Sequence, residues 1–391
     1  MYFPSQLIDF TIKSMTVSST PKVFFYTSDT SEISEVTTFH HLLVDLAEGF
    51  KHLGIQYYSN NNYWKSSPDK DEFLFQKNPN IKHQDCEIVV LDRLWFELYE
   101  SLPNGLFSSD RQYITVFMDC SDGIRTSSWL PEFRQFDFIF KTHYIKDFWY
   151  PSNVYPWVFG ISSRMLEALG EYKKFEHREK KILLNFKYHR SMYKYSHSLR
   201  KFVVKTLVPS IQDVFQIDTT MEDRYIPPEV DPYSYLMWRQ TGRRHIPSYY
   251  KRLCSSQACA AFGGNFLAPR FTDGNSKFMY LSSRVVDELG ISTRRIAQWD
   301  SWRFWESLTA GCVTFHVDFQ KYGFVLPVMP SNWQHYVGID LNNIQDSIDK
   351  ICDSPGLLDK ISHQGMTWAI DNYSPKAISK RFLETVLDFQ H

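Results

Sequence analysis

The segment 301–313, "SWRFWESLTAGCV", combines two charged residues with a helical pattern of aromatic and aliphatic residues. Its tryptophans and leucine recur at helical spacing, which predicts a helix that packs on a sheet. Arg303 and Glu306 are three residues apart and share another face of that helix. An arginine can bind an anion with two donors, and a carboxylate can accept hydrogen bonds from two ribose hydroxyl groups. These residues therefore indicate a nucleotide site, and the alternative is an exposed ion pair on an ordinary helix.

The helix must end abruptly, because Gly311 is followed at once by a run that favours a strand, "CVTFHVD". Glycine allows such a tight reversal, since it has no side chain to clash with the preceding turn. We therefore predict that the helix returns directly into a sheet.

A reaction that transfers a group to a hydroxyl with inversion needs a general base. The candidates in the first half of the chain are His40 and His41, which follow the first predicted strand, and Asp119 and Asp122 in "MDCSDG". We choose Asp122 and His41 as the catalytic candidates. The alternative for each is a structural role as a loop or helix-capping group, and a retaining reaction would not require such a base.

A basic cluster lies in "WRQTGRRHIPSYY" (238–250), where arginines including Arg244 alternate with aromatic residues. Guanidinium groups in this setting can bind a diphosphate or an anionic acceptor. The alternative is a salt-bridged helix face.

The elements that would position these residues form two α/β series. In the first, a strand at 22–29, a helix at 39–55 ending at Gly54 and a strand at 55–60 make a βαβ unit, which favours a parallel sheet. Further short apolar strands end in polar residues, as in "CEIVVLD", "YITVFMDCSDG" and "FDFIFKTHY". Ligands of open parallel sheets bind beyond the carboxyl ends of the strands, so these ends form the predicted functional rim.

A proline-rich segment and a charged helix separate the two series, which predicts a two-domain chain. The expected divisions are a first α/β domain, a linker, a second α/β domain and a closing helix, at 1–155, 156–178, 179–375 and 376–391. The cleft between the domains is the expected site.

Composition narrows the class of protein. The chain has 391 residues, of which 43% are hydrophobic. Its formal net charge of −1 argues against a general nucleic-acid binder, which would usually have a basic face. The six cysteines lack zinc-site spacing, so we expect reduced thiols and no zinc site among them. The N-terminus resembles neither a secretory signal nor a membrane anchor, and we expect a cytoplasmic protein that is at most peripheral to a membrane.

The segment 301–339 resembles the donor-binding part of GT-B glycosyltransferases, in particular the exostosin-like group and glycosyltransferase group 1. Those families share an S-x-R-x-x-E-A-L-x-x-G-C-x-P-V-like run, followed by a proline-containing turn, a tryptophan and a short strand. Six residues of the run match here: Ser301, Arg303, Glu306, Leu308, Gly311 and Cys312. Two positions depart from the family pattern: Thr314 replaces the usual proline, and Gln298 stands where the broader pattern has a second glutamate.

The resemblance implies a GT-B fold, in which two Rossmann-like domains face each other across a cleft and a C-terminal helix crosses back to the N-terminal domain. It implies that Glu306 holds the ribose of a nucleotide sugar, that Lys187 and Arg190 lie near the diphosphate, and that no metal is needed. "CSSQACAAFGGNF" resembles the strand and turn before the donor helix, which adds Gly263 and Gly264 to the donor-binding candidates. With Arg303, Ser301 and Arg244, these residues complete the predicted donor site.

The function implied by the resemblance is transfer of a hexosyl or pentosyl group from a nucleotide sugar to a saccharide or lipid-linked acceptor, in the synthesis of a surface polysaccharide. Nucleic acid is not expected as a partner. Two alternatives stay open: a GT-B sugar-nucleotide epimerase, which would need paired carboxylates in the cleft, and a GT-B-like protein that binds glycan or protein partners without catalysis.

Overall fold

A computed structural model describes residues 20–28, 39–122, 130–170, 172–186, 197–228, 231–267 and 295–388. The first half contains eight strands and three helices within these ranges. They are β1 (Val23–Tyr26), α1 (His41–Leu53), β2 (Tyr57–Ser59), β3 (Tyr63–Lys65), β4 (Phe73–Phe75), β5 (Ile88–Asp92), α2 (Arg93–Tyr99), β6 (Ile114–Asp119), β7 (Phe138–Lys141), β8 (Val154–Pro156) and α3 (Ser163–Leu169).

Six of these strands form one parallel sheet in the order β2-β1-β5-β6-β7-β8. The central strand β5, "IVVLD", is buried along its whole length. Such continuous burial is typical of a parallel strand covered by helices on both faces. The remaining strands, β3 and β4, pair with each other as an antiparallel ribbon.

The second half contains the other described strands and helices. They are β9 (Glu179–Leu183), β10 (His197–Ser198), α4 (Leu199–Ile211), β11 (Gln216–Asp218), α5 (Pro232–Gln240), α6 (Pro247–Ser255), β12 (Ser256–Ala260), β13 (Asn265–Leu267), β14 (Arg295–Ala297), α7 (Trp302–Thr309), β15 (Val313–Val317), β16 (Val337–Ile339), α8 (Ile344–Asp353), α9 (Leu357–Tyr373) and α10 (Pro375–Asp388).

Five strands of the second half form another parallel sheet, in the order β11-β9-β12-β15-β16. A small antiparallel sheet, β10-β13-β14, lies beside it. The helix predicted from the aromatic pattern is α7, and its return strand is β15, so the predicted helix–glycine–strand unit is confirmed.

The C-terminal helix α10 packs on α1 of the first half. The rings of Phe382 and Phe50 are 5.8 Å apart, and the Ser379 hydroxyl donates to the Leu46 carbonyl oxygen at 2.9 Å. A side chain at Gly49 would overlap the backbone of Pro375, so the close approach of the helices requires glycine there. Together with the two parallel sheets, this helix confirms the predicted GT-B arrangement.

The two halves meet at the carboxyl edges of their sheets. The Asp300 backbone N–H donates to His143 Nδ1 at 3.0 Å, and the Asp300 carboxylate accepts from the Phe159 backbone at 3.0 Å. Farther along, the side chain of Gln240 bonds both backbone groups of Lys65. These contacts join both walls of the cleft. None of the described helices has the length and apolar character that crossing a bilayer would require.

Candidate active site

The α7 helix begins and ends in ways that fix its charged residues beside the cleft. Ser301 is extended, and its hydroxyl lies 3.5 Å from the Ala261 carbonyl oxygen. At the other end Gly311 has a φ of +69°, and an added Cβ would lie 2.9 Å from the Tyr172 ring. The Gly311 carbonyl accepts from Arg178 at 2.9 Å. Glycine is therefore required both by the backbone conformation and by the available space.

Glu306 lies on this helix and is only 6% exposed. Its Oε1 accepts a hydrogen bond from the Tyr250 hydroxyl at 3.0 Å. The same hydroxyl accepts a hydrogen bond from Arg164 Nη1 at 2.8 Å. The predicted ribose-binding carboxylate is thus buried and held on one oxygen by its own protein.

Arg303 and Arg200 lie on the same aromatic ring. Their guanidinium carbons are 6.0 and 5.6 Å from the ring centroid of Phe186, which follows β9. Burial, together with the charge of nearby Arg303, lowers the pKa of Arg200 to about 9. Arg303 Nη1 is buried and has no hydrogen-bond partner among the described residues. Two half-buried cations this close together favour the binding of an anion between or beside them.

Arg244 also belongs to the second half of the chain, and it stacks on Trp302, the neighbour of Arg303, 4.6 Å from the ring centroid. Trp302 also contacts Phe39 of the first half at 5.3 Å. Burial lowers the pKa of Arg244 to about 10, with a contribution from Arg224 in the same direction and an opposing one from Asp122. The basic cluster predicted from the sequence therefore places Arg244 in the cleft, where it carries a charge that an anion would stabilise.

Asp122 follows β6 in the first half and has a side chain 44% exposed. Its Oδ1 is 3.7 Å from His143 Nε2. Because the Asp300 amide donates to His143 Nδ1, the neutral ring carries its proton on Nε2, facing Asp122. Burial alone would raise the pKa of Asp122, but His143, Gln298 and Arg244 outweigh it and the pKa lies below its usual value. Asp122 is therefore ionised at neutral pH.

His143 and Gln298, which both contact Asp122, have left-handed backbones, with φ of +59° and +56°. Non-glycine residues adopt this conformation at an energetic cost, and such residues cluster at functional sites. Gln298 Oε1 accepts from Asn265 at 3.3 Å, while its amide also bonds Asp122.

Gly263 and Gly264 form the turn after β12, and they lie against the backbone that leads to α7. A Cβ on Gly263 would be 2.8 Å from the Trp299 carbonyl oxygen, and one on Gly264 would overlap that of Ala297. The turn also receives Arg200, whose Nε donates to the Phe262 carbonyl at 2.9 Å. The glycines thus bring Gln298 and Arg200 together at the rim of the sheet.

His41 has a different environment from Asp122. It is 3% exposed, and its Nε2 donates to the Phe159 carbonyl oxygen at 2.8 Å. Burial, with Arg164 as a second cause, holds the pKa of His41 well below its usual value. A neutral, enclosed imidazole that is already bonded to backbone has less access to an acceptor than Asp122 has.

His40 joins three elements of the first half. Its Nδ1 is 2.7 Å from Asp92 Oδ1, and its Nε2 is 2.6 Å from the Ser28 hydroxyl. All three residues are at most 1% exposed. Asp92 also caps α2 by accepting from the Leu94 amide. The geometry matches a Ser–His–Asp triad. The burial of all three side chains and the capping bond of Asp92 indicate instead a structural link between β1, α1 and β5.

Two predicted donor-site residues, Lys187 and Arg190, lie outside the described residues. In the part of the chain that is described, no group of three His, Cys, Asp or Glu side chains is arranged to hold a metal ion. Sequence reasoning missed Arg164, Arg200 and Tyr250. The only available signal was their position at helix starts or in basic runs, because their partners are distant in sequence.

The arrangement offers the carboxylate of Glu306 and the guanidinium group of Arg303 on one helix, with an ionised Asp122 in the other half of the chain. Asp122 interacts electrostatically with both Arg200 and Arg244, so these three groups share one cleft. Such a site can bind the hydroxyl groups and phosphates of a nucleotide on one side and deprotonate a hydroxyl on the other.

No protein-family model and no curated protein sequence matches this chain. Among solved structures, it is similar to an alpha-glucosyltransferase in complex with UDP-glucose and DNA containing an abasic site, with a TM-score of 0.49, 10% identity and coverage of 94% of this chain and 99% of that chain. It is also similar to AviGT4, a glycosyltransferase involved in avilamycin A biosynthesis (TM-score 0.47, 10% identity, 95% and 98% coverage). Sucrose-phosphate synthase from Thermosynechococcus elongatus has a TM-score of 0.43, 10% identity and coverage of 94% and 98%. The residue assignments rest on the geometry of this chain.

Proposed function

We propose that this protein is a glycosyltransferase that moves a sugar from a nucleotide-sugar donor to a saccharide or glycolipid acceptor. The observation that carries the proposal is the set of charged groups around one helix: α7 carries Glu306 and Arg303, Arg303 shares the Phe186 ring with Arg200, and Arg244 stacks on Trp302 at the start of α7. A nucleotide-sugar donor needs this combination, because its ribose presents hydroxyl donors and its diphosphate presents anionic acceptors.

In this proposal the arginines stabilise the charge that develops on the departing nucleoside diphosphate. The arginines would stabilise this negative charge without a metal ion, as the resemblance to GT-B glycosyltransferases implies. Asp122 takes the proton of the acceptor hydroxyl if the reaction inverts the anomeric centre. Its lowered pKa keeps it ionised at neutral pH and therefore able to accept that proton.

The first test is nucleotide binding. UDP and GDP are titrated calorimetrically against wild type, Glu306→Ala and the control Glu384→Ala, which alters an exposed carboxylate on α10. We expect wild type and the control to bind one nucleotide equally and Glu306→Ala to bind it at least ~10-fold more weakly. If wild type binds neither nucleotide, the glycosyltransferase proposal fails. If Glu306→Ala binds as tightly as wild type, the ribose assignment fails.

The second test identifies the substrates. A panel of nucleotide sugars is screened for nucleotide release with saccharide, glycolipid and nucleic-acid acceptors. The last group is included because the similar alpha-glucosyltransferase is in complex with DNA. Release that depends on a saccharide or glycolipid supports the proposal, and NMR of the product distinguishes inversion from retention. Release with water alone, together with a changed sugar, would favour the epimerase, and binding without turnover would favour the non-catalytic alternative.

A further inference from the structure

A hydrogen-bond relay connects Glu306 to the helix that joins the two halves of the chain. Arg164, on α3, donates from Nη1 to the Tyr250 hydroxyl at 2.8 Å. Tyr250, on α6, donates to Glu306 Oε1 at 3.0 Å. None of the three side chains is more than 6% exposed. The relay therefore joins three helices through largely buried groups.

The direction of the relay is fixed by its chemistry. A guanidinium group has donors only, so the Tyr250 oxygen must accept from Arg164. A phenol has a single proton, and with its oxygen already accepting from Arg164 that proton is directed to Glu306. Neighbouring hydrogen bonds of this kind polarise one another, and those to charged groups are the stronger ones. The position of the Glu306 carboxylate is thereby defined by two residues outside its own helix.

The relay uses only one oxygen of Glu306. Oε1 is bonded to Tyr250, whereas Oε2 makes no hydrogen bond with any residue that the structure describes. Anchoring one oxygen restricts the rotation of the carboxylate and so narrows the directions in which the second oxygen can point. Orienting an acceptor before a ligand binds lowers the entropic cost of binding.

Arg164 is poorly explained as a stabilising residue. Its Nε and Nη2 are buried without a hydrogen-bond partner among the described residues. Its guanidinium carbon is 5.6 Å from the Phe39 ring centroid and 5.8 Å from that of Trp302. Burial disfavours its charge, but Tyr250, Glu306 and Asp45 outweigh burial and raise the pKa of Arg164. The two nitrogens without a partner still cost free energy, and stability alone does not account for them.

We propose that Arg164 and Tyr250 are positioning residues, which act through Glu306 to orient its free oxygen toward a ribose hydroxyl of the bound nucleotide. The inference rests on the proposed nucleotide-binding function and deepens it. It implies that the preference for a ribonucleotide over its deoxy counterpart depends on a hydroxyl group, that of Tyr250, which never touches the ligand.

The test compares a ribonucleotide with its two deoxy counterparts on two tyrosine variants. UDP, GDP and ADP are titrated by calorimetry, and the one that binds wild type is compared with its 2′-deoxy and 3′-deoxy counterparts. Tyr250→Phe removes the relay hydroxyl and keeps the ring. Tyr249→Phe is the matched control, because the neighbouring Tyr249 is also buried and its hydroxyl has no hydrogen-bond partner among the described residues. Thermal melting verifies that each variant is folded.

Wild type and Tyr249→Phe should prefer the ribonucleotide over the more weakly bound deoxy form by at least ~10-fold, as expected for a hydrogen bond to a charged group. In Tyr250→Phe that preference should fall below ~3-fold, with the affinity for the deoxy form nearly unchanged. An equal loss of affinity for both ligands would overturn the positioning role, because a structural defect does not distinguish them. Absence of any nucleotide binding by wild type would instead overturn the proposed function, and the relay's role with it.

A variant at the other end of the relay tests whether the arginine belongs to it. Arg164→Met combined with Tyr250→Phe should discriminate no less than Tyr250→Phe alone, because both substitutions break the same path. A further loss of discrimination in the double variant would show that Arg164 acts independently of Tyr250. If Arg164→Met does not fold, the comparison of Tyr250→Phe with Tyr249→Phe still decides the proposal.

Discussion

Replacement of Glu48 by glutamine should stabilise the protein above neutral pH. Glu48 lies on α1 and is 9% exposed, and its Oε2 accepts the Ser163 backbone N–H at 2.7 Å. Burial raises its pKa from 4.5 to about 7, although the bond from Ser163 and the charge of Arg164 act in the opposite direction. The folded protein therefore holds a proton that the unfolded chain releases.

The sign and the size of the effect follow from these pKa values. Between pH 4.5 and about 7 the folded state binds more protons at Glu48 than the unfolded state does, so stability falls as the pH rises through this window. At about 1.4 kcal/mol for each pH unit, ionised Glu48 costs about 3 kcal/mol once the pH is above 7. Glutamine has the same shape and can accept from Ser163, but it has no charge to bury.

The assay is urea unfolding of wild type, Glu48→Gln and the exposed control Glu384→Gln at several pH values from about 4.5 to 8. The stability of Glu48→Gln relative to wild type should rise by about 3 kcal/mol across this range, whereas Glu384→Gln should follow wild type. Taking the difference between variants removes the contribution of other titrating groups. A difference that stays constant with pH would refute a raised pKa at Glu48.

Three shorter predictions follow from the same contacts. Gly49→Ala should lower stability by more than about 2 kcal/mol, because its methyl group would overlap the Pro375 backbone; an unchanged melting temperature would contradict this packing. If the reaction inverts, Asp122→Asn should slow sugar transfer at least ~100-fold at saturating substrate without weakening nucleotide binding, since loss of its charge leaves Arg200 and Arg244 no less able to bind an anion; a normal rate would exclude Asp122 as the base. His40→Ala should lower the free energy of unfolding in urea by about 2–4 kcal/mol, because buried Asp92 loses its imidazole partner; wild-type stability would show that this link is unimportant.

The elements were predictable where a local pattern is strong. The continuous apolar run of β5 and the helical spacing of α1 both indicate their structures. Gly54 was expected to end α1, and it has a φ of +70° and bonds back to Lys51 and Phe50. The strands β10, β13 and β14 were not predicted, because two or three residues are too few to show a period.

The contacts of the site were less predictable than the elements. The position of Glu306 on α7 follows from spacing, but its partner Tyr250 is 56 residues away and reaches it only after α6 has packed beside α7. Arg164 is separated from Tyr250 by 86 residues. No periodicity encodes such pairs, since tertiary packing brings them together. In the sequence, Arg200 is likewise an ordinary first-turn helix residue, and its contact with the Phe186 ring is seen only in the folded chain.

The two departures from the family pattern make physical sense in the folded chain, because each has a matching neighbour. At position 298 the amide of Gln298 forms a hydrogen bond with Asp122. A glutamate there would place a second carboxylate beside Asp122, and the two negative charges would repel each other. At position 314 the hydroxyl of fully buried Thr314 lies 2.8 Å from that of Ser307. A buried hydroxyl without such a partner would be costly. Each of the two residues therefore has a neighbour that suits it: the Asp122 carboxylate for the amide at position 298, and the Ser307 hydroxyl for the hydroxyl at position 314.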